Sequence, residues 1–148
     1  MSAALLDVNV LVAFLWPPHS HHQLVVPWFK RARNDGWATC PITELGCVRV
    51  LGGPAVGQRT VSILSAAEML DEFTRDALHH FWPDDLKLAD TRFAGSLRHI
   101  QGPGQLTDRY LLALAAAHDG VLATLDRAVA AGLPADSPLL AHLEVIEG

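Results

Sequence analysis

Ala3-Ala4-Leu5-Leu6-Asp7-Val8-Asn9-Val10-Leu11-Val12-Ala13-Phe14-Leu15-Trp16 decides the fold of this chain. Residues 3–6 are apolar on both sides, and with Asp7 at the end they read as a short strand covered on both faces. From Val8 to Trp16 the chain stays apolar on nearly every side, which reads as a buried helix stopped by Pro17-Pro18. Asp7 sits at the junction. A buried strand running straight into a buried helix opens a layered α/β fold.

The same alternation continues. Ser20 is expected to cap a second helix, with Leu24, Trp28, Arg31 and Ala32 near one face and an end at Asp35-Gly36. Trp37 to Cys40 reads as strand two, and Thr43 to Leu51 as a helix ended by Gly52-Gly53-Pro54. A further helix is predicted over Thr60 to Arg75, with Ile63, Ala67 and Leu70 inward. His79 to Trp82 is the third strand. Asp84-Asp85 is expected to open a helix through Arg98, burying Leu88 and Phe93. After Gly102-Pro103-Gly104, Thr107 is expected to cap the most apolar helix, Asp108 to His118. The buried strand Val121 to Leu125, a short helix Arg127 to Ala131 and a closing strand Leu143 to Ile146 finish the pattern. The expectation is one α/β domain over residues 1–148, with a central, mostly parallel sheet of four to five strands.

With 148 residues, 50% apolar and 18% charged, the chain can build one core without disulfides or a structural metal. Cys40 and Cys47 are read as buried small hydrophobes in a reducing cytoplasm. No apolar run approaches the ~20 residues of a membrane span, and the few residues before Asp7 hold no basic and apolar leader. A net charge of −5 by itself argues against a nucleic-acid partner.

The placement of four acids changes that balance. Asp7 ends strand one, Glu44 follows strand two, Asp108 starts the most apolar helix and Asp126 follows strand four. In an open parallel sheet the working crevice lies at the carboxyl ends of the strands, where these four segments converge. Acids near helix starts are ordinarily caps, and Glu44 alone is as well explained that way. Asp7 and Asp126 each interrupt an apolar stretch at a strand exit, which capping explains less well. Clustered carboxylates raise one another's pKa values unless a cation compensates them, and an all-oxygen set suits Mg²⁺ or Mn²⁺. Thr43, Thr107 and Thr124 flank the acids and are expected to orient them.

Four stretches in order resemble the PIN-domain family and, within it, the VapC-type toxins of toxin–antitoxin modules. They are Leu6-Asp7-Val8-Asn9-Val10-Leu11-Val12-Ala13, Cys40-Pro41-Ile42-Thr43-Glu44-Leu45-Gly46, Leu106-Thr107-Asp108-Arg109-Tyr110-Leu111-Leu112-Ala113-Leu114-Ala115 and Leu122-Ala123-Thr124-Leu125-Asp126-Arg127. The resemblance implies a three-layer α/β/α sandwich and a Mg²⁺- or Mn²⁺-dependent endoribonuclease, leaving 5′-phosphate and 3′-hydroxyl ends. Its acidic quartet falls on Asp7, Glu44, Asp108 and Asp126, as metal ligands and catalytic groups. Asn9 is a candidate contact to a metal-bound water or the scissile phosphate, and Arg109 either a phosphate contact or an exposed helix arginine. The resemblance also implies structured RNA as substrate (tRNA or rRNA), a homodimer, and neutralisation by a VapB-type antitoxin. DNA binding usually belongs to the antitoxin, and no helix-turn-helix pattern in this chain suggests operator recognition. Trp16-Pro17-Pro18-His19-Ser20-His21-His22 matches a pattern in some VapC-like proteins.

His19, His21 and His22 have poor spacing for a closed zinc site and are read as packing at the start of the second helix. Asp84-Asp85 is read as a helix cap. Lys30-Arg31-Ala32-Arg33 is either a solvated face or a guide for RNA. A haloacid-dehalogenase-like phosphatase would place an acid where Asn9 stands, and a receiver domain would need an acidic pair and a late-strand lysine that are not evident. A PIN protein that binds RNA without cutting is the remaining alternative.

Overall fold

The computed structural model describes residues 2–53 and 61–148. Five strands, β1 (Ala4–Leu6), β2 (Trp37–Thr39), β3 (His79–Phe81), β4 (Val121–Thr124) and β5 (Leu143–Val145), form one sheet in the order β3-β2-β1-β4-β5. Every neighbouring pair is parallel. Among the described residues six α-helices surround it: α1 (Val8–Leu15), α2 (His22–Ala32), α3 (Pro41–Leu51), α4 (Ile63–Phe73), α5 (Thr91–Ser96) and α6 (Leu106–Ala117). The result is a PIN-like α/β/α sandwich.

Strand periodicity divides the core in two. Ala4, Leu6, Trp37 and Ala123 face a cluster with Val10 and Leu11 of α1, Val25, Trp28 and Phe29 of α2, Cys47 and Leu51 of α3, and Ala66 and Leu70 of α4. Leu5, Ala38 and Leu122 point the other way, into Leu111, Leu112, Leu114 and Ala115 of α6. Each fully buried leucine contributes about 1.5–3 kcal/mol of apolar burial. The aromatic centre of the first cluster is Trp37, edge-on to Phe29 at 5.2 Å and 4.5 Å from Phe73. Gly46 lets α1 and α3 approach closely, since a Cβ there would lie 2.5 Å from Val8 Cγ2.

The central strands and α1 follow the sequence expectation; the differences are local. The second helix starts at His22 with no side-chain cap, because Ser20 Oγ is 3.3 Å from His21 Nδ1 instead. Its buried face is Val25, Trp28 and Phe29, with Arg31 outside. Pro41 begins α3 two residues before the expected start, as proline suits a first helical turn. In α4, Ser62 is the cap, Ile63 is 56% exposed and Ala67 also faces out, while Ala66 and Leu70 pack inward. The expected start at Thr60 and the break at Pro54 lie outside the described residues. The helix expected from Asp84 is shorter: residues 82–90 are irregular, and Asp90 caps α5 by accepting from Arg92 N–H. Asp84-Asp85 therefore cap nothing, and Leu88 is 71% exposed, although Phe93 is buried as expected. Thr107 lies inside the first turn of α6, which begins at Leu106, so it is not the cap.

Candidate active site

The exits of β1 and β4 lie side by side, since Leu6 pairs with Ala123 and the next residues in register are Asp7 and Thr124. Thr124 Oγ donates to Asp7 Oδ2 at 2.7 Å. The same oxygen accepts from Asp126 N–H at 3.1 Å and from Asn9 Nδ2 at 3.2 Å. Asn9 Oδ1 in turn accepts from Leu125 N–H at 3.1 Å. Both ends of the Asn9 amide are thus used in tying α1 to the exit of β4. Asp7 Oδ1 caps α1 by accepting from Val8 N–H, which accounts for the abrupt strand-to-helix junction.

Asp7 is only 6% exposed. Burial pushes its carboxyl above the ordinary range, the Thr124 and Val8 bonds oppose that, and the charge of Asp126 adds to it. Asp108, in the first turn of α6, is pushed up to about 6 by burial and then by the charges of Asp7 and Asp126, with Arg109 opposing. The charges of Asp7 and Asp126 thus reach Asp108, and the charge of Asp126 reaches Asp7. Glu44 is held elsewhere: its Oε2 accepts from Thr39 Oγ at 2.6 Å, and His79 Nε2 lies 2.7 Å from that same hydroxyl. Because the Thr39 proton goes to Glu44, the His79 ring is the donor in the second contact. Among the described residues no three His, Cys, Asp or Glu side chains stand at metal-ligand separation.

The remaining expected site residues have other partners. Thr43 bonds the main chain of Cys40, accepting from its N–H at 3.0 Å and donating to its carbonyl at 3.1 Å; it braces the start of α3 and leaves Glu44 to Thr39. Thr107 is exposed in the first turn of α6. Arg109 is neither an exposed helix arginine nor open to a phosphate, being wholly buried among main-chain carbonyls. The Thr39 and His79 pairing was missed in sequence, since nothing in either strand alone marks it.

The histidines after Trp16 behave as a helix entrance. His19 Nδ1 accepts from His21 N–H at 3.0 Å, and His22 Nδ1 lies 2.8 Å from Ala13 O, joining α2 to α1. The basic cluster does not face the acids. Arg33 is paired with Asp76 at 2.6 Å, and Arg31 lines a hollow with Ser2, Ala4 and Val121, at the amino ends of the strands. Cys40 and Cys47 are buried free thiols, pushed by burial to about 11 and about 12.

The chain matches the PIN domain family model over residues 4–131. It is similar to three proteins of Mycobacterium tuberculosis. Ribonuclease VapC39 is 43% identical over 127 residues, covering 86% of this chain and 91% of the relative. Ribonuclease VapC44 is 39% identical over 127 residues, covering 86% and 88%. Ribonuclease VapC38 is 40% identical over 126 residues, covering 85% and 86%. With the parallel sheet and the three interacting acids, these likenesses place the chain in the PIN-domain family, among the VapC proteins.

Proposed function

We propose that this protein is a Mg²⁺- or Mn²⁺-dependent endoribonuclease toxin acting on structured RNA. The observation that carries the reading is the linking of Asp7 and Asp126 by Thr124 at the adjoining exits of β1 and β4, with Asp108 under the influence of both charges, in a chain whose relatives are named ribonucleases. The side chains do not stand at ligand separation here, but the chemistry of the donor set suits a hard divalent cation: it is all oxygen, and burial with repulsion between the acids raises two of its carboxyls, a cost that a bound cation offsets. Asp7, Asp108 and Asp126 would hold the ion, with Glu44 as the fourth acid, here engaged by Thr39. When bound, the ion supplies charge neutralisation at the scissile phosphate and activation of an attacking water.

The chain's own contribution is orientation. Thr124 and Val8 N–H fix both oxygens of Asp7, Asn9 holds Thr124, and Asp126 is set by its own N–H on Thr124 and by Oδ1 accepting from Ala128 N–H at 2.8 Å. A VapB-type antitoxin as neutralising partner, a homodimer and a cytoplasmic setting complete the proposal, with no operator recognition by this chain alone. Among the described residues no helix is long and apolar enough to cross a membrane. Mapping 5′ ends of cellular RNA after inducing wild type or Asp7→Asn tests the reading: new ends that depend on Asp7 are expected. Identical maps from both would favour a PIN protein that binds RNA without cutting.

A further inference from the structure

Arg109 is a charged side chain with no exposed surface. Its Nε donates to Val129 O at 3.1 Å, Nη1 to Ser96 O at 2.9 Å, and Nη2 to Ala131 O and, at 3.4 Å, to His99 O. All four acceptors are main-chain carbonyls. A buried cation is costly, and an apolar side chain of similar volume generally fills such a space at lower cost. The carbonyls it gathers show what the arginine does there. Val129 lies in the 3₁₀ turn that directly follows Asp126 and Ala131 closes it, and Asp126 itself caps that turn through Ala128 N–H. Ser96 and His99 lie at the end of α5 and in the 3₁₀ turn that follows it.

One helical turn earlier, Gln105 reaches the same segment. Its Nε2 donates to Ala128 O at 3.0 Å and Ala131 O at 3.1 Å, while its Oε1 accepts from Gln101 N–H at 2.7 Å. Residues 105 and 109 share one face at the start of α6, and Asp108 stands beside them.

We propose that Gln105 and Arg109 clamp the turn carrying Asp126 to the helix carrying Asp108, and so set the spacing of these two acids. Arg109 is then a positioning residue that touches neither RNA nor metal. The clamp rests on the reading of the acidic site given above, and its purpose is to hold two carboxylates from distant segments at a fixed separation. Lysine cannot replace it, because one ammonium on a flexible stem cannot span four carbonyls set around a planar fork.

The test compares wild type, Arg109→Lys, Gln105→Ala and Asp108→Asn, each checked for folding by circular dichroism. Mn²⁺ affinity is measured without RNA, by electron paramagnetic resonance of the free ion, and kcat and KM on a cleaved RNA. The clamp predicts ~10-fold or greater loss of Mn²⁺ affinity in Arg109→Lys, a smaller loss in Gln105→Ala, and a lower kcat at nearly unchanged KM in both. If Arg109→Lys does not fold, Gln105→Ala alone decides. Wild-type affinity and kcat in the deciding variant overturn the clamp, as does a raised KM with unchanged Mn²⁺ binding, which marks a phosphate contact. Wild type that binds no Mn²⁺, or Asp108→Asn that binds as wild type does, overturns the acidic-site reading and the clamp with it.

Discussion

Thr124 donates its hydroxyl proton to Asp7 at 2.7 Å and through the same oxygen receives the N–H of Asp126. One side chain thus couples acids that lie 119 positions apart in the chain. Valine at position 124 keeps the volume but removes the donor to Asp7 and the acceptor for Asp126 and Asn9. Thr124→Val is expected to lower RNA cleavage by ~10–100-fold and stability by about 1–2 kcal/mol. Single-turnover cleavage and urea unfolding of the same preparation check both figures.

Three acids that oppose one another are a source of strain when no cation is bound. In EDTA at pH 7, Asp108→Asn removes one charge from the group formed with Asp7 and Asp126 and is expected to unfold at a higher temperature than wild type. Added Mg²⁺ should stabilise wild type more than the variant, reducing or reversing the difference. Thermal melts with EDTA and with Mg²⁺ measure this.

The pH dependence of stability is expected to carry a contribution from Asp76, far from the acidic site. Its carboxylate accepts from Arg33 Nε at 2.7 Å and Nη2 at 2.6 Å and from Trp37 Nε1 at 2.7 Å. The Arg33 bonds hold its carboxyl down to about 2, whereas an unfolded aspartate titrates near ~3.9. A depressed folded pKa stabilises the fold fully above the unfolded value, and this contribution is lost as pH falls from there through about 2. Asp76→Asn should therefore be less stable than wild type at pH 7, with the gap closing across that acid window. Denaturant midpoints at several pH values follow it.

With thiols pushed to about 11 and about 12, Cys40 and Cys47 should not react with a thiol reagent at pH 8 in the folded protein, and both should react after unfolding. Replacing both with serine or alanine is expected to leave cleavage chemistry in place, at some cost in packing. A stopped-flow thiol assay in native and denaturing buffer checks the first statement.

The elements read most clearly from sequence were those whose pattern is local. Leu5-Leu6-Asp7 and Ala123-Thr124-Leu125-Asp126 show an apolar run closed by an acid, and these became neighbouring strand exits. Side-chain partnerships were not legible in the same way. Arg109 looked like a surface or phosphate arginine because its four carbonyls come from segments 10–22 residues away. The hold of Thr39 on the Glu44 carboxylate, five residues away, was equally unmarked in the sequence. Pro83-Asp84-Asp85 imitated a helix start, while the effective cap, Asp90, follows an irregular stretch that packs Trp82 and Leu86 on the core without helical spacing. Ile63, Ala67 and Leu70 fitted a helical stripe, but packing on α3 kept Leu70 and placed Ala66 beside it, leaving Ile63 and Ala67 outside.

The central claim is metal-dependent RNA cleavage that needs the convergent acids. The most direct measurement is cleavage of total tRNA and rRNA by purified wild type, Asp7→Asn and Asp108→Asn, with Mg²⁺ or Mn²⁺ and with EDTA. The account predicts discrete cuts by wild type with metal, none with EDTA, and at least ~100-fold slower cutting by each variant. Cutting by wild type at the same rate in EDTA, or by Asp7→Asn at the wild-type rate, would contradict it.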